Sequence, residues 1–239
     1  MLVATAVVAT LWLAASNQLI LYIHPRYVVF TVIMAVIALG VIVASVIAKP
    51  AHEHDDPESP RQKVVSIAAL ATSLVLGIGL VAVPPAVLTS STVAQRDINS
   101  AGVGADVTSV DDAAAGPDSA SADFTVLDWA SLLRQTSDLA FYDAKPVDIV
   151  GFVTEDPDDP QNVFYVSRFV ITCCAVDAQP VGVPVYAPDW RETYSPDDWV
   201  EVTGTFGANP SNKSTQPIAV QPGDAGISAI DEPGDPYLF

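Results

Sequence analysis

The residues best suited to chemistry are two adjacent cysteines, Cys173 and Cys174, in the stretch Arg168-Phe-Val-Ile-Thr-Cys-Cys-Ala-Val-Asp-Ala-Gln-Pro180. The chain has no other cysteine, so a long-range structural disulfide is excluded. Two thiolates with the nearby Asp177 carboxylate make a donor set for zinc or copper as Cu(I), because sulfur ligands suit soft ions. Two other readings stay open. In one, a Cys fills the core while Asp177 caps a turn. In the other, the pair forms a strained, easily reduced vicinal disulfide. Neighbouring side chains on a strand point to opposite faces, so a bulge or turn is required before both sulfurs can face one ligand.

The remaining candidates are weaker. His52-Glu53-His54-Asp55-Asp56 offers two imidazoles and several carboxylates to a divalent metal, in a setting that reads first as a solvated loop. His24, beside Pro25 and Arg26, suits anchoring at lipid headgroups. Arg168, among apolar strand residues, is expected to pair with an acidic neighbour or to clasp an anionic ligand. Residues 123–239 contain no histidine, which removes the usual general base for a Ser or Cys nucleophile. No glycine-rich phosphate loop or dinucleotide fingerprint is present, and Asp197-Asp198 cannot be told apart from solvated charge. The chain is therefore read as non-catalytic.

The segments that must position the cysteines alternate like strands. Pro146 to Thr154, Asn162 to Cys173, Val181 to Ala187 and Trp199 to Phe206 are separated by turn chemistry, notably Glu155-Asp-Pro-Asp-Asp-Pro160 and Ala208-Asn-Pro-Ser-Asn212. Pro217 to Gln221 and Gly226 to Ile230 extend the set, and Val126 to Leu139 has the spacing of a short amphipathic helix. We expect an OB-like small β-barrel of antiparallel strands with one helix over 123–239, with Gly151 bending a strand around it. Residues 90–122, rich in Ala, Ser, Gly, Val and Asp and lacking aromatics, read as a flexible acidic linker.

The first part of the chain is different in kind. Hydrophobic residues make up 50% of the 239 and charged ones 16%, yet the formal net charge is −18. Residues 1–90 are neutral in sum, so the acidity falls after residue 90. A nucleic-acid partner is excluded because no basic face exists to displace counterions. Three apolar runs, about 1–23, 27–48 and 64–88, each exceed the ~20 residues that cross ~30 Å of hydrocarbon, and the expectation is three transmembrane helices in a region 1–89. The first run lacks the basic start of a signal peptide, although Ala14-Ala15-Ser16 imitates a cleavage site. Small residues Ala69, Ser73, Gly77 and Gly79 would let a neighbouring helix approach the third run. Lys49, Arg61 and Lys63 mark the loop 49–63 as cytoplasmic, and three crossings would put residues 90–239 outside the cell membrane.

Four stretches carry a resemblance: Tyr22-Ile-His-Pro-Arg26, Arg168 to Gly182 with its Cys-Cys pair, Trp199-Val-Glu-Val-Thr-Gly204, and the terminal Asp231-Glu-Pro-Gly-Asp-Pro-Tyr-Leu-Phe239. In these the chain resembles the YcgQ-type family of bacterial permease subunits, with Val176 standing where the family pattern has a small residue. The resemblance implies a multi-pass bacterial membrane protein in contact with the lipid bilayer, with an extracytoplasmic domain, paired with a multi-spanning permease. The expected function is an accessory permease subunit whose outer domain binds solute or metal or regulates transport. The alternative is a stand-alone envelope metal- or redox-binding module built on Cys173 and Cys174.

Overall fold

A computed structural model of the chain describes residues 2–48, 60–82, 87–100, 108–115, 121, 123–143 and 145–239. They fall into two compact units, Met1–Ala86 and Val87–Phe239.

The first unit is helical: α1 Leu2–Ala15, α2 Pro25–Ile47 and α3 Pro60–Ala82. The run 1–23 does not continue as one helix. Asn17 takes a left-handed conformation (φ 57°), its amide donates to Ala14 O, and the Gln18 amide donates to Leu13 O. This is a Schellman stop, and Asn is among the few residues that tolerate it. α2 starts with Pro25 at its first position, its entry capped by the His24 side chain accepting the Arg26 amide at 3.1 Å.

These boundaries correct the expectation of three transmembrane helices. Among the described residues, one helix is long and apolar enough to cross a membrane: α2, with 23 residues and an exposed apolar surface that includes Val29, Phe30 and Ile33. α1 has 14 residues, or ~21 Å at 1.5 Å per residue, short of ~30 Å of hydrocarbon. The apolar part of α3, Ile67–Gly79, is shorter than 18 residues. Hydropathy counts apolar residues whether or not the backbone stays helical through them, so the polar trio Ser16-Asn17-Gln18 was hidden inside an apolar average. The extracytoplasmic placement of residues 90–239 relied on three crossings and loses that basis. α1 does meet α3 closely, with Thr5 Cγ2 only 3.1 Å from where a Cβ on Gly77 would sit, whereas Gly79 faces open space.

The second unit is built on strands β1 Pro146–Glu155, β2 Val163–Val170, β3 Gln179–Tyr186, β4 Trp199–Ala208, β5 Ile218–Ala229 and β6 Tyr237–Leu238. β1 pairs with β2 and β4, β4 with β5, β5 with β3, and β3 with β2, giving a ring of five strands; β6 lies beside β2 outside the ring. The expected OB-like barrel of antiparallel strands is corrected to this mixed sheet. β3 and β5 run parallel and are paired in register at Val185↔Val220, and β6 runs parallel to β2. Alternation reveals which residues face the core, but a strand's direction and neighbours depend on long-range closure. β1 leaves β2 near Gly151, where a Cβ would fall 2.5 Å from Ser167 O, so only glycine permits this crossing.

Helix α6 Val126–Gln135 packs its buried Trp129, Ala130 and Leu132 into the core with Phe164, Val183 and Val220. (α4 Ser90–Val93, α5 Val110–Ala115 and α7 Leu139–Tyr142 are short.) The helix expected to Leu139 ends at Gln135, and Asp138 caps α7 by accepting the Ala140 amide. The described parts of 90–122 are also not a free tether. Ser90 donates through its amide and hydroxyl to Asp197, Asn99 exchanges two side-chain hydrogen bonds with Gly182, and Thr108 donates to Asp128. Lack of aromatics limits apolar burial but leaves polar docking available.

Candidate functional site

β2 stops at Val170, and Ile171 donates its amide to Leu238 O, so the chain bends immediately before the cysteines. The bend replaces strand alternation with a short turn, Ala175–Asp177. Asp177 organises it: its Oδ2 accepts the Cys173 amide at 2.9 Å and its Oδ1 accepts the Cys174 amide at 3.3 Å. The Asp177 amide donates in return to the Cys174 carbonyl at 2.9 Å. The outcome is that Cys173, Cys174 and Asp177 offer ligand atoms all within 4.8 Å of one another. Neither thiol fills the core, since Cys173 is exposed and Cys174 half-buried, and both are free.

Ligand atoms on one tetrahedral zinc with ~2.3 Å bonds lie ~3.8 Å apart, and this set lies within 4.8 Å of one another. Desolvation, then the Cys174 thiol and the Asp177 carboxylate, raise the Cys173 thiol above its ordinary range. A thiol held protonated is a poor nucleophile for disulfide exchange, while a metal ion displaces the proton on binding.

The turn is clamped from outside by a segment that no local signal in the amino-acid sequence places there. Arg96 donates to the carbonyls of Ala178 and, at 3.1 Å, Val176, and the Asn99 amide donates to Pro180 O. Val176 itself is 83% exposed, which explains why a larger side chain is accommodated there.

The other candidates lie elsewhere. His52 and His54 fall outside the described residues. His24 and Arg26 belong to the helical unit, where His24 caps α2 and meets the Tyr27 ring edge-on at 6.2 Å. Arg168 is 8% exposed; its hydrogen bonds go to carbonyls, Val150 O at 3.3 Å and Asp235 O at 2.6 Å, while the Asp235 carboxylate favours its charge from beyond ion-pair distance. Its guanidinium also lies over the Trp199 ring, 5.1 Å from the centroid. Asp197 and Asp198 are occupied by Ser90 and by the Ser195 amide.

Two family models match: the DUF1980 N-terminal domain over residues 2–99 and the DUF1980 C-terminal domain over residues 123–239. The chain belongs to the DUF1980 family. No curated protein and no solved structure matches it. The Cys-Cys turn lies wholly in the DUF1980 C-terminal domain, whereas its clamp, Arg96 and Asn99, comes from the last residues of the DUF1980 N-terminal domain.

Two loops of the C-terminal domain form a further polar cluster. Asp156 accepts the Asp158 and Asp159 amides and the Ser214 hydroxyl, while Asp159 accepts Ser211 and Asn162. The Ser211 and Asn162 hydrogen bonds hold the Asp159 carboxyl below its ordinary value. Both loops were legible as turns, but their pairing joins Asp159 to Ser211 across 52 residues and left no local signal.

Proposed function

We propose that this protein is a membrane-anchored binding module that captures a soft metal ion, zinc or Cu(I), through Cys173, Cys174 and Asp177. The reading is carried by one observation, the convergence of the three donor atoms within 4.8 Å on a turn already organised by Asp177. Cys173 is exposed and Cys174 half-buried, outside the core of the sheet, which favours loading without unfolding it. Three protein donors leave a position for water, a transfer partner or a fourth ligand. The role is binding and handover, with no catalytic step assigned. α2 supplies the anchor by length and composition.

The test is metal content and titration of the full chain in detergent. One equivalent of zinc or Cu(I), lost in Cys173→Ser and in Cys174→Ser, supports the reading. A metal-free protein that gains none on titration, or one whose metal is unaffected by both substitutions, overturns it.

A multi-spanning permease as partner is a second proposal, supported by the resemblance over Arg168 to Gly182 and the three other stretches. Recovery of such a permease in fixed ratio with the tagged chain from mild detergent supports it, and recovery of this chain alone overturns it.

A further inference from the structure

Four buried side-chain polar atoms among the described residues lack a hydrogen-bond partner, and of these only Arg168 Nε belongs to a charged group. Arg168 makes no ion pair among the described residues; its two hydrogen bonds go to neutral carbonyls. The Asp235 carboxylate favours the guanidinium charge from beyond ion-pair distance, but burial disfavours it more, and an anion in direct contact would relieve that cost.

Space for one exists. Arg168 lines a cavity of about 250 Å³ at the seam where β1 departs from β2, bounded by Val150, Leu238 and the first turn of α6. α6 has ten residues and directs its N-terminus at this cavity through Thr125 and Val126. Its capping box, formed by Thr125 and Asp128, occupies the Thr125 and Asp128 amides, and those of Val126 and Leu127 have no partner among the described residues. A helix N-terminus beside a guanidinium favours a carboxylate or similar oxyanion. The rim has the opposite sign, because the exposed Asp123 and Asp148 line the same cavity. A simple anion would meet their repulsion, and a simple cation would meet Arg168.

We propose that this cavity binds a small zwitterion of the amino-acid class, its carboxylate on Arg168 and the first turn of α6 and its ammonium on Asp123 and Asp148. The volume lies below the ~300–1,000 Å³ of pockets for drug-sized ligands, which suits a small solute.

The experiment is calorimetric titration of the full chain in detergent with L-alanine, acetate and methylamine. L-Alanine is expected to bind one per chain, about tenfold or more tighter than acetate, with no binding of methylamine. Arg168→Gln should abolish binding, but this side chain also holds Val150 and Asp235, so the deciding variants are Asp123→Asn and Asp148→Asn at the exposed rim. Each should weaken L-alanine about threefold to tenfold while leaving acetate unchanged or tighter. No binding of L-alanine at ~10 mM overturns the site. Alanine no tighter than acetate, or alanine binding unaltered in both rim variants, overturns the zwitterion assignment.

Discussion

Arg168 and the Cys173-Cys174 turn lie in one short stretch of chain, yet their surroundings are opposites. Arg168 is on a strand whose residues are all buried, under Trp199, with donors left over. The cysteines come just after that strand ends, exposed or half-buried, with their amides satisfied by Asp177. Function sits at lower cost on such a turn than inside the sheet. A turn that meets its own backbone demands can present reactive side chains without weakening the sheet. A charge inside the sheet must be integrated into the fold, so any ligand it binds is tied to stability.

The sharpest way to break this contrast is substitution at the two ends of the stretch. Arg168→Ala removes hydrogen bonds to Val150 O and Asp235 O and the Trp199 contact, and should destabilise the sheet unit by about 3 kcal/mol. Urea denaturation followed by tryptophan fluorescence reads this directly, and an unchanged midpoint would contradict the integration of Arg168. Gly151→Ala should cost about 1–3 kcal/mol, because its Cβ would press on Ser167 O and Val166 Cγ1 where β1 crosses β2. A thermal melt equal to that of the parent would mean the crossing is looser than described.

A smaller effect is expected of the Asp159 cluster. Its folded-state carboxyl titrates below the unfolded value of ~3.9, so its contribution is complete above that pH and is lost as pH falls through the folded value. Acid titration of Asp159→Ala should therefore be less steep than that of the parent below pH ~4. Identical acid profiles would deny the cluster this role. The smallest effect belongs to Cys173→Ser, which should leave the melting temperature of the metal-free protein unchanged, since the exposed sulfur supports nothing in the core.

How far the amino-acid sequence reveals this arrangement varies by region. Strands β1 to β4 and the acidic loop 155–160 were legible because alternation and proline are local signals. The Asp177 cap was legible for the same reason. Ring closure through Val185↔Val220, the clamp of Arg96 on the Cys turn and the loop pairing of Asp159 with Ser211 were not, since each joins residues far apart in sequence. The helical unit misled in the other direction. Apolar composition suggested one run through Ser16-Asn17-Gln18, whereas a left-handed Asn17 ends the helix there. At Arg168 the residue type pointed to an ion pair, but the backbone carbonyls of Val150 and Asp235 are what lies within reach.

Soft-metal binding at the Cys turn can be read out by absorption spectroscopy of the full chain loaded with cobalt(II) as a reporter for zinc. A sulfur-to-cobalt charge-transfer band is expected at one equivalent, weakened in Cys173→Ser and in Cys174→Ser and absent when both are replaced. A cobalt spectrum without a sulfur band, identical in parent and variants, would contradict it.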